Sequence, residues 1–363
     1  MHVVICGAGA IGACTAYFLS RRGIDVTVVE GTGVANAASG KAGGFLALDW
    51  CAGSPLDALA RRSFALHAEL AETLGNPWGH RGMTAYAGFL LPEGGRGGGT
   101  TLDWLSDSVA ITSRLSTPKT TAIVHPQLFT KAMMEAARGN GAHVRAGRVI
   151  GLARDTDRVR GVLVDGTEIT ADAVVITMGP WSILAAQWLR LPPVFARTSP
   201  SLVFDTGTDV PADALFLDYT DHDGTTVTIE VFPRANGNTH VTAFSNEDPL
   251  PLDPAAVRPD PGTLDRLHAL CRRISPAFDK GKVLARQACA RPMTQDFMPL
   301  MGKILGTAGA YVATGHNVWG ILNAPATGEA MAELIADGKA RIDLRPFDPG
   351  RLRPLDPARL NIG

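Results

Sequence analysis

The chain has 363 residues, of which 45% are hydrophobic and 19% charged, and its formal net charge is -1 at pH 7. This length predicts two domains of roughly 100–200 residues each, and the composition is typical of a globular protein. A near-neutral chain without long runs of like charge disfavours nucleic acids and membrane surfaces as partners.

The cysteines and the first residues bear on location. The five cysteines are scattered and form no CxxC pair, so neither a disulfide framework nor a metal site is predicted. The first apolar run begins at Val3 and meets Gly7, which is too short for a signal-peptide core or a membrane span. We therefore expect a cytoplasmic protein with reduced thiols.

The first 30 residues have the pattern of a strand, a glycine-rich turn, a helix and a second strand. Residues 2–6 form an uninterrupted apolar run, which predicts a parallel strand buried on both faces. Residues 11–22 predict a helix that ends at Gly23, and residues 25–30 predict a strand that ends on Glu30.

The turn between the first strand and the helix has the spacing GxGxxG. Gly7 permits the tight turn, Gly9 lets a pyrophosphate approach the backbone, and Gly12 lets the helix pack closely on the strand. The helix N-terminus offers free N–H groups and the positive end of its dipole to phosphates. Glu30 can accept hydrogen bonds from a ribose 2′-OH and disfavours a 2′-phosphate, hence NADP. A dinucleotide site is predicted, and FAD and NAD both remain open.

Three segments follow before the middle of the chain. Residues 31–50 are rich in small side chains that let the backbone lie flat against a ring or a phosphate, with a flexible loop as the alternative. Residues 55–75 predict an amphipathic helix. The glycine-rich residues 91–100 predict a mobile surface loop, with an active-site lid as the alternative.

The middle of the chain returns to strands and helices. Residues 122–144 predict a turn, a helix from Pro126 and a strand, with Leu128, Met133 and Ala137 on the apolar face of the helix.

The remaining segments separate into two kinds. Strands are predicted near 144–152, 159–165 and 171–182, alternating strands of an antiparallel sheet over 194–250, a helix over 261–275 and a strand, turn and helix over 309–338. Nucleotide-type segments thus occur at the start, in the middle and at the end of the chain. This order predicts a discontinuous cofactor domain with a substrate domain threaded through it.

Over residues 2–340 the chain resembles the D-amino acid oxidase family of flavoproteins, which includes glycine oxidase and sarcosine oxidase. The resemblance depends on the order and spacing of four motifs, none of them specific alone. They are GAGAIG (7–12) with Glu30, the small-residue segment 39–44, VVITMGPWS (174–182), and the pair CARPMTQDFMPLMG (289–302) and TGHNVWGILNAPATGE (314–329).

The resemblance implies an α/β (α+β) fold in which an antiparallel-sheet substrate domain is inserted into a Rossmann-like FAD-binding domain. The implied FAD-binding domain comprises residues 1–76, 119–190 and 286–345, the substrate domain 77–118 and 191–285, and an irregular tail 346–363.

The resemblance also implies FAD bound in an extended conformation, noncovalently rather than through Cys289, since Arg291-Pro292 matches the noncovalent branch. The N-terminus of the last helix would stabilise negative charge on the flavin. The residues implied to contact FAD are Gly7, Gly9, Ala10, Ile11, Gly12, Glu30, Ser39, Gly40, Lys41, Ala42, Gly43, Gly44, Val149, Met178, Gly179, Trp181, Arg291, Gly315, His316, Asn317, Val318, Trp319, Gly320, Ile321 and Thr327.

Four residues are implied on the substrate side, and each has a structural alternative. Arg291 matches the arginine that binds the substrate carboxylate in glycine oxidase-like members, and its alternative is an ion pair with Asp296. Lys41 faces the flavin or is a solvated loop residue, and His316 is catalytic or structural. Phe45 matches a pocket-lining position.

Two further aromatic residues, Trp319 and Tyr219, line the pocket or pack in the core.

The implied reaction is oxidation of the C–N bond of an amino acid or related amine to an imine, with oxygen reduced to hydrogen peroxide. The alternatives are a flavin dehydrogenase that passes electrons to a quinone or carrier protein, an NAD-dependent reductase, and an FAD-binding protein without activity.

Overall fold

The molecule is an α/β protein with a six-stranded, mainly parallel sheet and a seven-stranded, mainly antiparallel sheet. The computed structural model describes residues 1–97, 102–221 and 223–360. The helices of these residues are α1 (Ala10–Ser20), α2 (Ala38–Lys41), α3 (Asp57–Leu74), α4 (Pro126–Gly139), α5 (Thr263–Ile274), α6 (Ala277–Lys280) and α7 (Gly320–Asp337). None of these helices has the length and apolarity that a membrane span requires.

The strands of the same residues are β1 (His2–Cys6), β2 (Asp25–Glu30), β3 (Phe45–Ala47), β4 (Arg81–Gly82), β5 (Thr84–Leu90), β6 (Val109–Arg114), β7 (Thr121–Ile123), β8 (His143–Ala146), β9 (Val149–Asp155), β10 (Arg158–Val164), β11 (Thr167–Thr170), β12 (Ala173–Ile176), β13 (Phe195–Asp205), β14 (Asp213–Thr220), β15 (Thr226–Pro233), β16 (Asn238–Thr242), β17 (Lys282–Met293), β18 (Leu300–Lys303) and β19 (Ala310–Thr314).

The first sheet has the strand order β18-β19-β12-β1-β2-β8. Its pairs are parallel except for β18 with β19 at one edge. The strand β1 is buried on both faces, as its unbroken apolar run predicts. Val3 and Ile5 face a layer formed by α1, α3, α4 and α7, whereas Val4 and Cys6 face the sheet β11-β10-β9 and the 3-10 helix of residues 179–187.

The second large sheet has the order β17-β13-β16-β15-β14-β5-β6. Its pairs are antiparallel except for β14 with β5, so the predicted antiparallel sheet is confirmed with one parallel pair. One face packs on α5 and α6 through a core that includes Phe204, Leu217 and Leu267. The other face is turned towards the first sheet. The strand β17 begins four residues before position 286 and pairs with β13 along its length.

Two sequence predictions need correction. Leu128 is 38% exposed, and the buried face of α4 includes Phe129, Met133, Met134 and Ala137. Phe129, Met133 and Ala137 are spaced by four residues and lie on one side of the helix, and Leu128 points away from that side. Residues 31–50 contain α2 and β3 and are not a flexible loop throughout. Part of the predicted glycine-rich loop, 98–100, lies outside the described residues.

Candidate active site

A cavity of about 880 Å³ lies between the two large sheets. On one side it is lined by residues that follow β1, β2, β8, β12 and β19. These strands are parallel, so their carboxyl ends meet at one edge of the sheet, where ligands of open α/β sheets bind. On the other side it is lined by one face of β13, β15, β16 and β17.

The glycine turn after β1 has the geometry that the sequence predicts. Gly7 has φ of +108°, a left-handed conformation, and a Cβ there would lie 2.7 Å from the carbonyl oxygen of Thr177. A Cβ at Gly12 would lie 2.0 Å from the Gly7 carbonyl oxygen. Glycine at these two positions is therefore what lets α1 start directly against the strand ends.

The N-terminus of α1 opens into the cavity. The first amides of a helix have no partner within the helix. In α1 the amide of Ala10 donates a hydrogen bond to Ser39 Oγ at 2.8 Å. The neighbouring residue Ile11 also lines the cavity. The amides and the dipole of this eleven-residue helix make its end suited to an anion such as pyrophosphate.

Glu30, at the end of β2, is held by the backbone around it. Its carboxylate accepts hydrogen bonds from the amide of Ala8 at 2.8 Å and from the amide of Thr32 at 2.7 Å. It also lines the cavity. The carboxylate is therefore fixed beside the glycine turn, in the place where a ribose would follow the phosphates.

The turn after β19 forms the far end of the cofactor side. His316 is buried, and its Nε2 lies 3.0 Å from Thr327 Oγ1. Burial lowers the pKa of His316 to about 3, so the imidazole is neutral at pH 7. Residues 316–321 line the cavity, whereas Gly315 and Thr327 lie behind this turn.

The sheet side of the cavity follows the period of two that a strand imposes. Most of the lining residues alternate along the strands, with the exceptions of Val227 and Pro292. The alternating positions are 197, 199 and 201 on β13, 226, 228, 230 and 232 on β15, and 289 and 291 on β17. Alternation of this kind places one face of a strand in the site and the other in the core. Arg291, Arg197 and Glu230 are the charged side chains on this face.

Arg291 is half-buried and makes no ion pair or side-chain hydrogen bond with the described residues. Its Nε is buried without a partner. Burial lowers the pKa of its guanidinium, and Cys289 and Glu230 nearby oppose that shift. The alternative of an ion pair with Asp296 is not observed, because Asp296 binds Arg351 at 2.7 Å. The guanidinium is therefore free to bind a ligand.

The segment that follows α2 is held against the cavity by two cations. Lys41 Nζ donates to the carbonyl oxygen of Ala288 at 3.1 Å, and burial lowers the pKa of the ammonium. Arg234 is 5% exposed and donates to the carbonyl oxygen of Ala42 at 2.8 Å. Burial lowers the pKa of Arg234 to about 10. Lys41 is therefore a half-buried residue of the site rather than a solvated loop residue.

An aromatic cluster forms one wall of the cavity. The ring centroids of Phe45 and Trp50 are 5.0 Å apart, those of Phe45 and Phe216 5.3 Å, and those of Phe45 and Phe232 5.5 Å. Trp319 lies edge-on to Trp50 at 6.4 Å. Such distances are typical of interacting aromatic pairs, so this wall is apolar and well packed.

The structure brings most of the sequence-predicted site residues to one cavity. All of them line it except Gly12, Gly40, Gly315 and Thr327, which lie behind it. Tyr219 packs in the core of the second sheet and is not a pocket wall.

Sequence reasoning missed four cavity-lining residues on the inserted sheet and one in the turn after β3. The four are Arg197, Phe216, Glu230 and Phe232, and the one in the turn is Trp50. The alternation of polar residues at 226, 228 and 230 with apolar residues at 227, 229 and 231 was a usable signal for three of the sheet-face positions on β15.

The two ends of the cavity fit a bound dinucleotide. One end offers a turn without Cβ atoms, a helix N-terminus and a fixed carboxylate, as described for Gly7, Ile11 and Glu30. The other end lies between the two large sheets, beside Met178 and residues 316–321, and Arg291 lines it from the sheet side. A ring system placed there would lie between the strand ends and the sheet face.

Comparisons with known proteins agree with this arrangement. A family model described as FAD dependent oxidoreductase matches residues 2–334. A Schizosaccharomyces pombe protein named only as an oxidoreductase is 29% identical over 389 residues, covering 96% of this chain and 97% of the relative. The glycine oxidase of Pseudomonas aeruginosa is 26% identical over 390 residues, covering 97% of this chain and 99% of the relative. The structure of glycine oxidase from Bacillus cereus has a TM-score of 0.79 at 24% identity, over 94% of this chain and 98% of that chain. The chain therefore belongs to the FAD-dependent oxidoreductase family.

Proposed function

We propose that this enzyme oxidises the C–N bond of an amino acid or related amine to an imine, and that oxygen accepts the electrons to give hydrogen peroxide. The observation that carries the proposal is the unpartnered guanidinium of Arg291 on the cavity face of β17. A guanidinium binds a carboxylate through two parallel hydrogen bonds, which fixes the orientation of the bound molecule.

The cofactor would be held by the groups that meet at the strand ends. The turn from Gly7 and the N-terminus of α1 would bind the pyrophosphate, Glu30 the ribose, and the backbone of residues 316–321 the ring. When bound, FAD supplies a two-electron acceptor for hydride from the substrate carbon.

The residues of the chain would bind and orient the substrate. Arg291 would hold the carboxylate, and orientation of this kind contributes to the rate by fixing the reacting groups. The aromatic wall around Phe45 would exclude water from one side. His316 is neutral at pH 7 because burial lowers its pKa to about 3, and its contact with Thr327 gives it a positioning role in the turn rather than that of an acid.

Three further features belong to the same proposal. FAD is held noncovalently, which the buried Cys289 thiol, with its pKa raised by burial, supports because a thiolate is the reactive form. The predicted division into a FAD-binding and a substrate domain is part of the proposal, although the boundary at 285/286 lies within β17, which belongs to the second sheet along its length. The protein acts in the cytoplasm.

The test is a screen of the purified yellow protein under anaerobic conditions. D- and L-amino acids, glycine, sarcosine and cyclic imino acids are added singly, and loss of the flavin absorbance near 450 nm identifies a substrate. The active compound is then assayed in air for peroxide and, in parallel, for reduction of a quinone or dye. Peroxide formation at the rate of substrate loss supports the oxidase, dye reduction without peroxide supports the dehydrogenase, and no bleaching by any amine contradicts both.

A further inference from the structure

Two arginines on neighbouring strands face the cavity. Arg197 on β13 lies directly opposite Arg291 on β17 in the antiparallel register. Residues paired in this way have Cβ atoms about 5 Å apart, and like charges at such positions destabilise a sheet. Neither Nε has a partner among the described residues, and Arg197 makes only one long bond, 3.3 Å from Nη2 to the carbonyl oxygen of Ser245.

The acid on the same face does not neutralise this pair. Burial raises the pKa of Glu230 on β15 and the nearby guanidinium of Arg291 opposes that rise, yet no ion pair joins Glu230 to any described residue. The carboxylate of Glu230 makes no hydrogen bond with these residues either. The sheet face of the cavity therefore carries two guanidiniums and one carboxylate, each with free hydrogen-bonding capacity.

A matching ligand would carry two anionic groups and one cationic group. A simple amino acid has one of each, so it would leave one half-buried guanidinium unpaired, and a partly desolvated charge without a partner is costly. An amine with two carboxylates gives every charged group on the sheet face an opposite partner.

We propose that the substrate is an amino dicarboxylate, with one carboxylate on Arg291, the second on Arg197 and the amine beside Glu230. The inference rests on the proposed function for the identity of the reacting bond. It adds a specificity-determining residue, Arg197, and a substrate class.

The test measures binding to the holoenzyme by the change in its flavin absorbance spectrum, without turnover. Glutarate and succinate are compared with butyrate and propionate, which lack the second carboxylate. A charge-assisted bidentate contact predicts about 10- to 100-fold tighter binding of the diacids. The variants are Arg197→Gln, Arg197→Lys and the control Arg286→Gln, since Arg286 lies on the outer face of β17 and pairs with Asp265 at 2.6 Å.

The expected result is that Arg197→Gln removes the preference for diacids and leaves the affinity for monoacids within about threefold. Arg197→Lys retains part of the preference, because it keeps the charge and loses the planar fork, and Arg286→Gln leaves it unchanged. Equal affinity of the wild type for mono- and diacids, or an equal loss for both in Arg197→Gln, overturns the proposal.

Failure of the proposed function would be seen separately. Aspartate, glutamate and iminodiacetate are assayed for oxidation against asparagine, glutamine and sarcosine. Oxidation confined to the monoacids overturns this inference alone. A holoenzyme that prefers diacids as ligands and oxidises no amine contradicts the proposed function and leaves the two-arginine site standing.

Discussion

Replacing Arg291 by Met should weaken substrate binding without destabilising the fold. A hydrogen-bonded contact to a charged group contributes about 1.5–3 kcal/mol, so kcat/KM for a carboxylate substrate should fall about 10- to 150-fold. The fold should not suffer, because Arg291 makes no ion pair or side-chain hydrogen bond with the described residues. Methionine also removes the repulsion from Arg197 opposite.

The sign of the stability change separates a substrate-binding residue from a structural one. Burial lowers the pKa of Arg291, which means that the charge is held at a cost in the ligand-free protein. The melting temperature of Arg291→Met should therefore stay the same or rise by about 2–4 °C. Breaking a buried ion pair would instead cost several kcal/mol.

The assays are steady-state kinetics of peroxide formation and thermal melting of the holoenzyme. Arg286→Gln is the matched control, since it removes an arginine from the outer face of the same strand. Its kinetics should equal those of the wild type. A melting temperature lowered by several degrees together with unchanged kcat/KM in Arg291→Met would show that Arg291 is structural and that another group binds the carboxylate.

Three further results are expected. Gly12→Ala places a Cβ 2.0 Å from a carbonyl oxygen of the glycine turn. FAD affinity, measured by fluorescence titration, should therefore fall at least about tenfold. The control Gly139→Ala, with nothing within 4 Å of the new Cβ, should leave FAD affinity unchanged. Acid precipitation should leave the flavin in the supernatant, and Cys289→Ser should bind FAD as the wild type does; a yellow pellet would show a covalent bond. Burial lowers the pKa of His67 and of His316 to about 3, below the unfolded value of about 6.5. The stability that these neutral imidazoles contribute is thus present above pH 6.5 and lost as the pH falls towards 3, about 2 kcal/mol for each by pH 5. Urea unfolding at pH 7 and pH 5 measures this loss, and equal midpoints would contradict it.

The phosphate and ribose end of the cofactor side could be predicted from sequence because its groups are local. The turn from Gly7 to Gly12 and the carboxylate of Glu30 lie within 30 residues, and each position is defined by backbone conformation or by a strand end. A pattern of residue types at fixed spacing is enough to specify such a site. Contacts between distant parts of the chain could not be predicted in this way. An example is His67, which contacts the carbonyl oxygens of Ile321 and Leu322.

The substrate side could not be predicted in the same way. Arg197 and Arg291 face each other only because β13 pairs with β17 in one register, and a shift of β17 by one residue would turn Arg291 away from the cavity. The alternation around Glu230 shows that one face of β15 is polar. An antiparallel sheet with one face in solvent shows the same polar face. Only the position of the first sheet shows that the polar face of β15 lines a cavity.

The two sides also differ in what a substitution can change. On the cofactor side the groups placed to contact a ligand are largely backbone amides, and the glycines matter because a Cβ would displace those amides, as at Gly12. On the sheet side, side chains at alternate positions line the cavity, and a new side chain at 197 or 230 leaves the outward-facing core residues such as Leu202 and Ile229 in place. Cavity-facing positions can therefore vary while the FAD-binding turn and the fold are retained. This is the physical reason that membership of this family identifies the cofactor, whereas the proposed substrate class depends on sheet-face residues such as Arg197.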